Sequence, residues 1–117
     1  MSPAARSLQV FGAYLLLLAL VLLLLPNTLL GLFGFPPTDE VWIRVVGMLV
    51  GILGFYDWQA ARAELRAFFA WSVPARLSVP VFFAAFVTLG MAPPALLLFG
   101  AVDAAAALWT WSALRRG

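Results

Sequence analysis

The stretch Leu15-Leu16-Leu17-Leu18-Ala19-Leu20-Val21-Leu22-Leu23-Leu24-Leu25, halted by Pro26-Asn27, decides what kind of chain this is. It is the densest part of an apolar run over 8–25. At about 1.5 Å per residue, a helix of roughly 18 residues just crosses a hydrocarbon core about 30 Å thick. Arg6 ahead of the run invites comparison with a secretory signal. The run is longer than an ordinary signal core, however, and no small-x-small cleavage site follows it. We read it as a retained membrane helix.

The same bias extends outward over the whole chain. Of 117 residues, 65% are apolar and 10% charged, and the mean hydropathy is +1.05. A soluble domain of this size leaves much of its surface in water and carries about a quarter charged residues. Seven arginines and five acids cannot cover such a surface. The composition implies an all-α integral membrane protein. Cysteine and histidine are both absent, which removes disulfides, thiol chemistry and the commonest general base and metal ligand. There is no paired carboxylate, Ser-Lys dyad, Ser-His-Asp set or nucleotide-binding glycine loop. The chain is expected to have no catalytic residues, no metal and no cofactor, and not to be an enzyme.

Further apolar runs cover 41–61, 77–91 and 95–114. With 8–25 they predict a four-transmembrane-helix antiparallel bundle, a single domain over 1–117. Pro36-Pro37 and Pro93-Pro94 fall shortly before the second and fourth runs, where proline is tolerated in a turn or a first helical turn. Arg6, Arg62, Arg66, Arg76, Arg115 and Arg116 all fall on one side of this arrangement, whereas the 26–40 connection holds Asp39 and Glu40. By the positive-inside rule both termini face the cytoplasm, and the expected location is the cell's inner (cytoplasmic) membrane. The arginines flank apolar runs instead of clustering, so the pI of about 9.9 signals topology and not nucleic-acid binding. Segment 62–73 mixes Arg62, Glu64 and Arg66 with Leu65, Phe68, Phe69 and Trp71. It reads as a helix lying on the inner surface or as an extension of the second span.

The second and fourth runs align without gaps, with Gly47 on Gly100, Tyr56 on Trp109, Trp58 on Trp111 and Arg62 on Arg115. Two hairpin repeats would produce this. So would the aromatic-belt and charge rules acting separately on two inward-running helices.

Charges inside spans are costly and mark candidate sites. At the centre of a helix an Asp costs about 3 kcal/mol, while each Leu or Phe returns only about 0.3–0.6 kcal/mol. Asp103, midway along the fourth run, therefore needs a partner. Arg44, Gly47, Gly51 and Gly54 share one helical face, and Gly100, Asp103, Ala107 and Thr110 share another. Two small-residue seams of opposite charge predict that the second and fourth helices pack together, with Arg44 and Asp103 as an intramembrane polar pair. Side chains lean toward the helix N-terminus, so outward snorkelling of Arg44 is the competing geometry. Asp57, Arg62, Arg66 and Arg76 read as inner-interface charges, Asp57 pairing with Arg76 or Arg62.

The progression Phe35-Pro36-Pro37, Trp42-x-Arg44-x-x-Gly47, Gly54-x-Tyr56, Arg76, and Phe99-Gly100-x-Val102-Asp103 with Trp109 and Arg115 resembles small bacterial four-span membrane proteins. These are loosely related to the DoxX-like and BphX-like families. The resemblance implies a four-helix bundle and carries no residue roles. Three functions follow as expectations. The first is a non-catalytic module that binds lipid or a hydrophobic ligand, or associates with itself or a larger membrane protein. The second is a small transporter or channel using Asp103 and Arg44. The third is an accessory subunit of a quinone-linked or aromatic-degrading redox system.

Overall fold

The computed structural model describes residues 1–116. These form five helices: α1 (Pro3–Leu24), α2 (Pro26–Leu32), α3 (Trp42–Arg62), α4 (Arg66–Thr88) and α5 (Leu96–Arg116). The fold is all-helical, and α1, α4 and α5 are each long and apolar enough to cross a membrane. Helix α3 matches them in length, but Arg44, Asp57, Gln59 and Arg62 dilute its apolar character. Large apolar side chains face outward along the bundle, among them Leu17, Leu24, Val81, Phe82 and Leu98. Such a surface belongs in hydrocarbon, where the hydrogen bonds within each helix satisfy the backbone. The chain is a membrane protein.

Two boundaries differ from those the sequence predicts. Residues 26–32 form the short helix α2, with Pro26 at its first position. More consequentially, α4 starts at Arg66 rather than 77 and runs unbroken through Pro74 and Pro80. The separate surface helix over 62–73 is therefore replaced by the turn 63–65 and the first turns of α4. The physical reason is Phe69, which is fully buried in a cluster with Ala4, Ala5, Leu8, Ala60, Ala61 and Ala113. A side chain held inside the bundle cannot lie in the acyl boundary.

Three helices end alike. In each, the residue after the C-cap is left-handed, and two amides reach back to carbonyls of the last turn (a Schellman motif). After α2 the left-handed residue is Gly34 (φ 79°) and after α4 it is Gly90 (φ 76°). After α3 it is Glu64 (φ 54°), whose amide donates to the Ala61 carbonyl while that of Leu65 donates to Ala60. A side chain is unfavourable in this conformation, and Glu64 has a use for it. Its carboxylate accepts from the Ser2 amide and the Ser2 hydroxyl, both at 2.7 Å. Ser2 in turn caps α1 by accepting from the Ala5 amide at 3.1 Å. The strap ties the start of α1 to the α3–α4 turn.

The helices pair as α1 with α3 and α4 with α5, and α1 also packs on α5. Helices α3 and α4 barely touch although they are consecutive. The expected contact between the second and fourth apolar runs, here α3 and α5, is corrected on this point: the glycine seam of α3 packs on α1. A Cβ on Gly47 would lie 2.9 Å from that of Leu22, one on Gly51 3.2 Å from that of Ala19, and one on Gly54 3.0 Å from that of Leu15. Gly12 completes the seam from the other side, since a Cβ there would meet the Gly54 carbonyl at 3.1 Å. On α5, Gly100 receives Pro80 of α4, and Ala107 is buried. Small residues recur every seventh position on both members of the first pair, Ala5-Gly12-Ala19 and Gly47-Gly54-Ala61. That spacing brings two backbones close along a continuous line.

Candidate functional site

Where α3 and α4 diverge, the helices surround a partly open cavity of about 620 Å³. Its walls come from all five helices and are almost wholly apolar, running from Leu30 and Phe33 near the start of α3 to Phe68 and Trp71 in the first turns of α4. Phe33 stacks on Phe99 of α5, ring centroids 4.4 Å apart, across one end. Into this apolar space come three ionisable side chains, Asp57, Arg76 and Asp103, together with the Tyr14 and Ser72 side chains.

Arg76 is held in place from several directions. It is only 6% exposed, because it sits ten residues into α4, about 15 Å along that helix. Its Nε donates to the Ser72 carbonyl (3.3 Å) and its Nη2 to the hydroxyls of Ser72 (3.0 Å) and Thr110 (2.8 Å). Thr110 and Ser7 lie 2.7 Å apart, oxygen to oxygen, and both are fully buried. Ser7 spends its one proton on the Ala4 carbonyl (2.7 Å), so the proton between the hydroxyls belongs to Thr110. The resulting chain of donors, Arg76 to Thr110 to Ser7 to Ala4, links α4, α5 and α1. The Arg76 guanidinium carbon also lies 4.9 Å from the centroid of the Phe11 ring, a cation–π placement. Among the described residues, Arg76 Nη1 is the one buried side-chain polar atom without a hydrogen-bond partner.

The two aspartates are treated differently. Asp57 is 8% exposed, and its Cβ faces Gly12 across the α1–α3 seam. Asp103 is half-buried on α5. Both are close enough to Arg76 to feel its charge, yet no hydrogen bond from the described residues supports either carboxylate. The guanidinium commits Nε and Nη2 to hydroxyls and a carbonyl, and the carboxylates are left facing the cavity.

The structure redistributes the residues singled out in the sequence. Arg44 and Asp103 do not form the expected pair. Arg44 lies exposed in the first turn of α3, where its Nε donates to the Leu23 carbonyl at 3.0 Å. That carbonyl is among the last four of α1, which have no partner inside the helix. The α3–α1 packing brings the carbonyl into reach and turns Arg44 away from α5. Asp57 and Arg76 are buried, so neither is an interface charge, whereas Arg62 and Arg66 are exposed at the ends of α3 and α4. Starting α4 at Arg66 is what carries Arg76 inside. Sequence reasoning missed Ser7 and Gly12. The seven-residue recurrence Ala5-Gly12-Ala19 is the signal that reveals Gly12, and Ser7 carries none.

No known protein family, characterised protein or solved structure matched the chain.

Proposed function

We propose that this protein is a four-span inner-membrane protein with both termini cytoplasmic, and that it binds an amphiphilic or hydrophobic molecule between its helices without transforming it. The observation that carries this reading is the cavity, about 620 Å³ with almost wholly apolar walls and charged groups held at defined places. Small-molecule sites share this character, with volumes of about 300–1,000 Å³ and a few polar groups that fix orientation. The separation of α3 from α4 supplies a lateral route by which a molecule dissolved in the bilayer reaches it. The packing of α1 with α3 and of α4 with α5 makes each half a hairpin, which supports a two-hairpin architecture. Helix α3 is the fourth span in this reading. Its polar residues Asp57 and Gln59 lie near one end and Arg44 near the other, leaving Val45–Tyr56 free of charge.

Native mass spectrometry of protein released from nanodiscs tests the binding. The wild type should carry a one-to-one adduct of small-molecule mass. Val50→Trp and Val79→Trp place an indole in the cavity and should remove the adduct, whereas Leu17→Trp on the outward surface should leave it. Loss of the adduct in all three variants, or in none, refutes the cavity as its seat.

A further inference from the structure

We infer that the molecule held in the cavity is a lipophilic cation, an apolar body bearing an amine, quaternary ammonium or phosphonium charge. The inference rests on the proposal that the cavity is a binding site and goes further by assigning the sign of the ligand. It starts from a count of fixed charges. The cavity is lined by two carboxylates, Asp57 and Asp103, and one guanidinium, Arg76. The other polar groups around them, Tyr14, Ser72, Thr110 and Ser7, are neutral donors and acceptors. With both carboxylates ionised, one negative charge is left over among apolar walls, where an uncompensated charge is costly.

The hydrogen bonding says where that charge is available. Arg76 is withdrawn from solvent and bound to Ser72, Thr110 and the Phe11 ring, so its positive charge forms part of the wall. Asp57 is more than nine-tenths buried, lines the cavity and takes no hydrogen bond from the described residues. Its carboxylate oxygens are not sealed within the wall but open onto the cavity, so whatever fills the cavity meets them. A cation there completes the charge balance of the three side chains and meets the carboxylates that the protein leaves unpaired. The rest of the wall suits such a ligand. Tyr14, Phe68, Trp71 and Phe83 are aromatic, and aromatic faces attract cations, most strongly when water is excluded. An anion of the same shape would meet the surplus carboxylate; of the Arg76 donors, Nε and Nη2 are committed, and Nη1, though unpartnered, is itself buried.

Tetraphenylphosphonium and tetraphenylborate have nearly the same apolar shape and opposite charge, so they separate the sign of the site from its greasiness. Binding of each is measured by equilibrium dialysis against nanodiscs of zwitterionic phosphatidylcholine with and without the protein. The protein-dependent binding of the cation should exceed that of the anion by about ten-fold or more, a difference of the kind that charge complementarity produces. Asp57→Asn and Asp103→Asn, made singly and checked for retained helicity and monodispersity, should each weaken the cation and leave or strengthen the anion. Equal protein-dependent binding of the two probes to wild type, or preference for the anion, overturns the cationic assignment while leaving the cavity as a site. If neither probe binds wild type better than Val50→Trp, binding in the cavity itself is refuted and the inference falls with it. The wild-type comparison decides the matter even if both aspartate variants fail to fold.

Discussion

Glu64 shows how much one residue contributes to holding this chain together. It occupies a left-handed position where glycine is usual, and in return it holds both polar hydrogens of Ser2. Those bonds favour the charged carboxylate, first through the Ser2 hydroxyl and then through the Ser2 amide, and hold its pKa below the ordinary glutamate range. The sign of the linkage follows. The stabilisation is fully present above the unfolded-state pKa of a glutamate and is lost as pH falls through the depressed folded-state value. Thermal unfolding in detergent from neutral to acid pH should show wild type losing stability relative to Glu64→Gln over that range, with the two converging at the acid end. A difference independent of pH would mean that the strap does not form. Ser2→Ala removes the helix cap and the strap donor together, and should cost about 1 kcal/mol.

At the scale of the elements, the α1–α3 seam is a close helix–helix approach, and its energetics turn on absent side chains. Gly12→Ala and Gly54→Ala each place a methyl about 3 Å from backbone or Cβ atoms of the opposite helix, and overpacking of this kind costs about 1–3 kcal/mol. Gly31→Ala in α2 is the control. It meets nothing within 4 Å and should be neutral, or stabilising by up to about 1 kcal/mol through helix propensity. Unfolding titrations of the three variants read these differences, and equal effects at all three positions would remove the seam as their cause. The helices themselves were legible in the sequence, because membrane thickness sets a length and apolar runs of that length are local features. Their pairing was not legible. Gly47, Gly51 and Gly54 announce a close partner without naming it, and Gly100 with Ala107 on α5 offered one as good as α1 does. The start of α4 was hidden by Pro74, which reads as a boundary, although an apolar helix of membrane-spanning length can carry a proline without ending there. The candidate site followed the same error. With the third span begun at 77, Arg76 fell outside it and the cavity-lining trio of Asp57, Arg76 and Asp103 could not be seen.

For the whole molecule, the absence of cysteine makes orientation directly measurable. Single cysteines at Pro37→Cys, before α3, and Ala63→Cys, after it, occupy exposed turns at opposite ends of that helix. In intact spheroplasts a membrane-impermeant maleimide should label Pro37→Cys at once and Ala63→Cys only after permeabilisation. Labelling of both from the same side would remove α3 as a span, and the reverse pattern would invert the protein. The strap from Ser2 to Glu64 gives this orientation a temporal meaning. Its two ends are 62 positions apart in the chain, so the first helix emerges during synthesis long before its acceptor exists. If α3 spans as proposed, the bond can close only in a chain that has crossed and returned, since an α3 that failed to return would leave Glu64 on the far side of the bilayer from Ser2. In the proposed four-span topology the strap thus closes only once Ser2 and Glu64 lie on the same side of the bilayer.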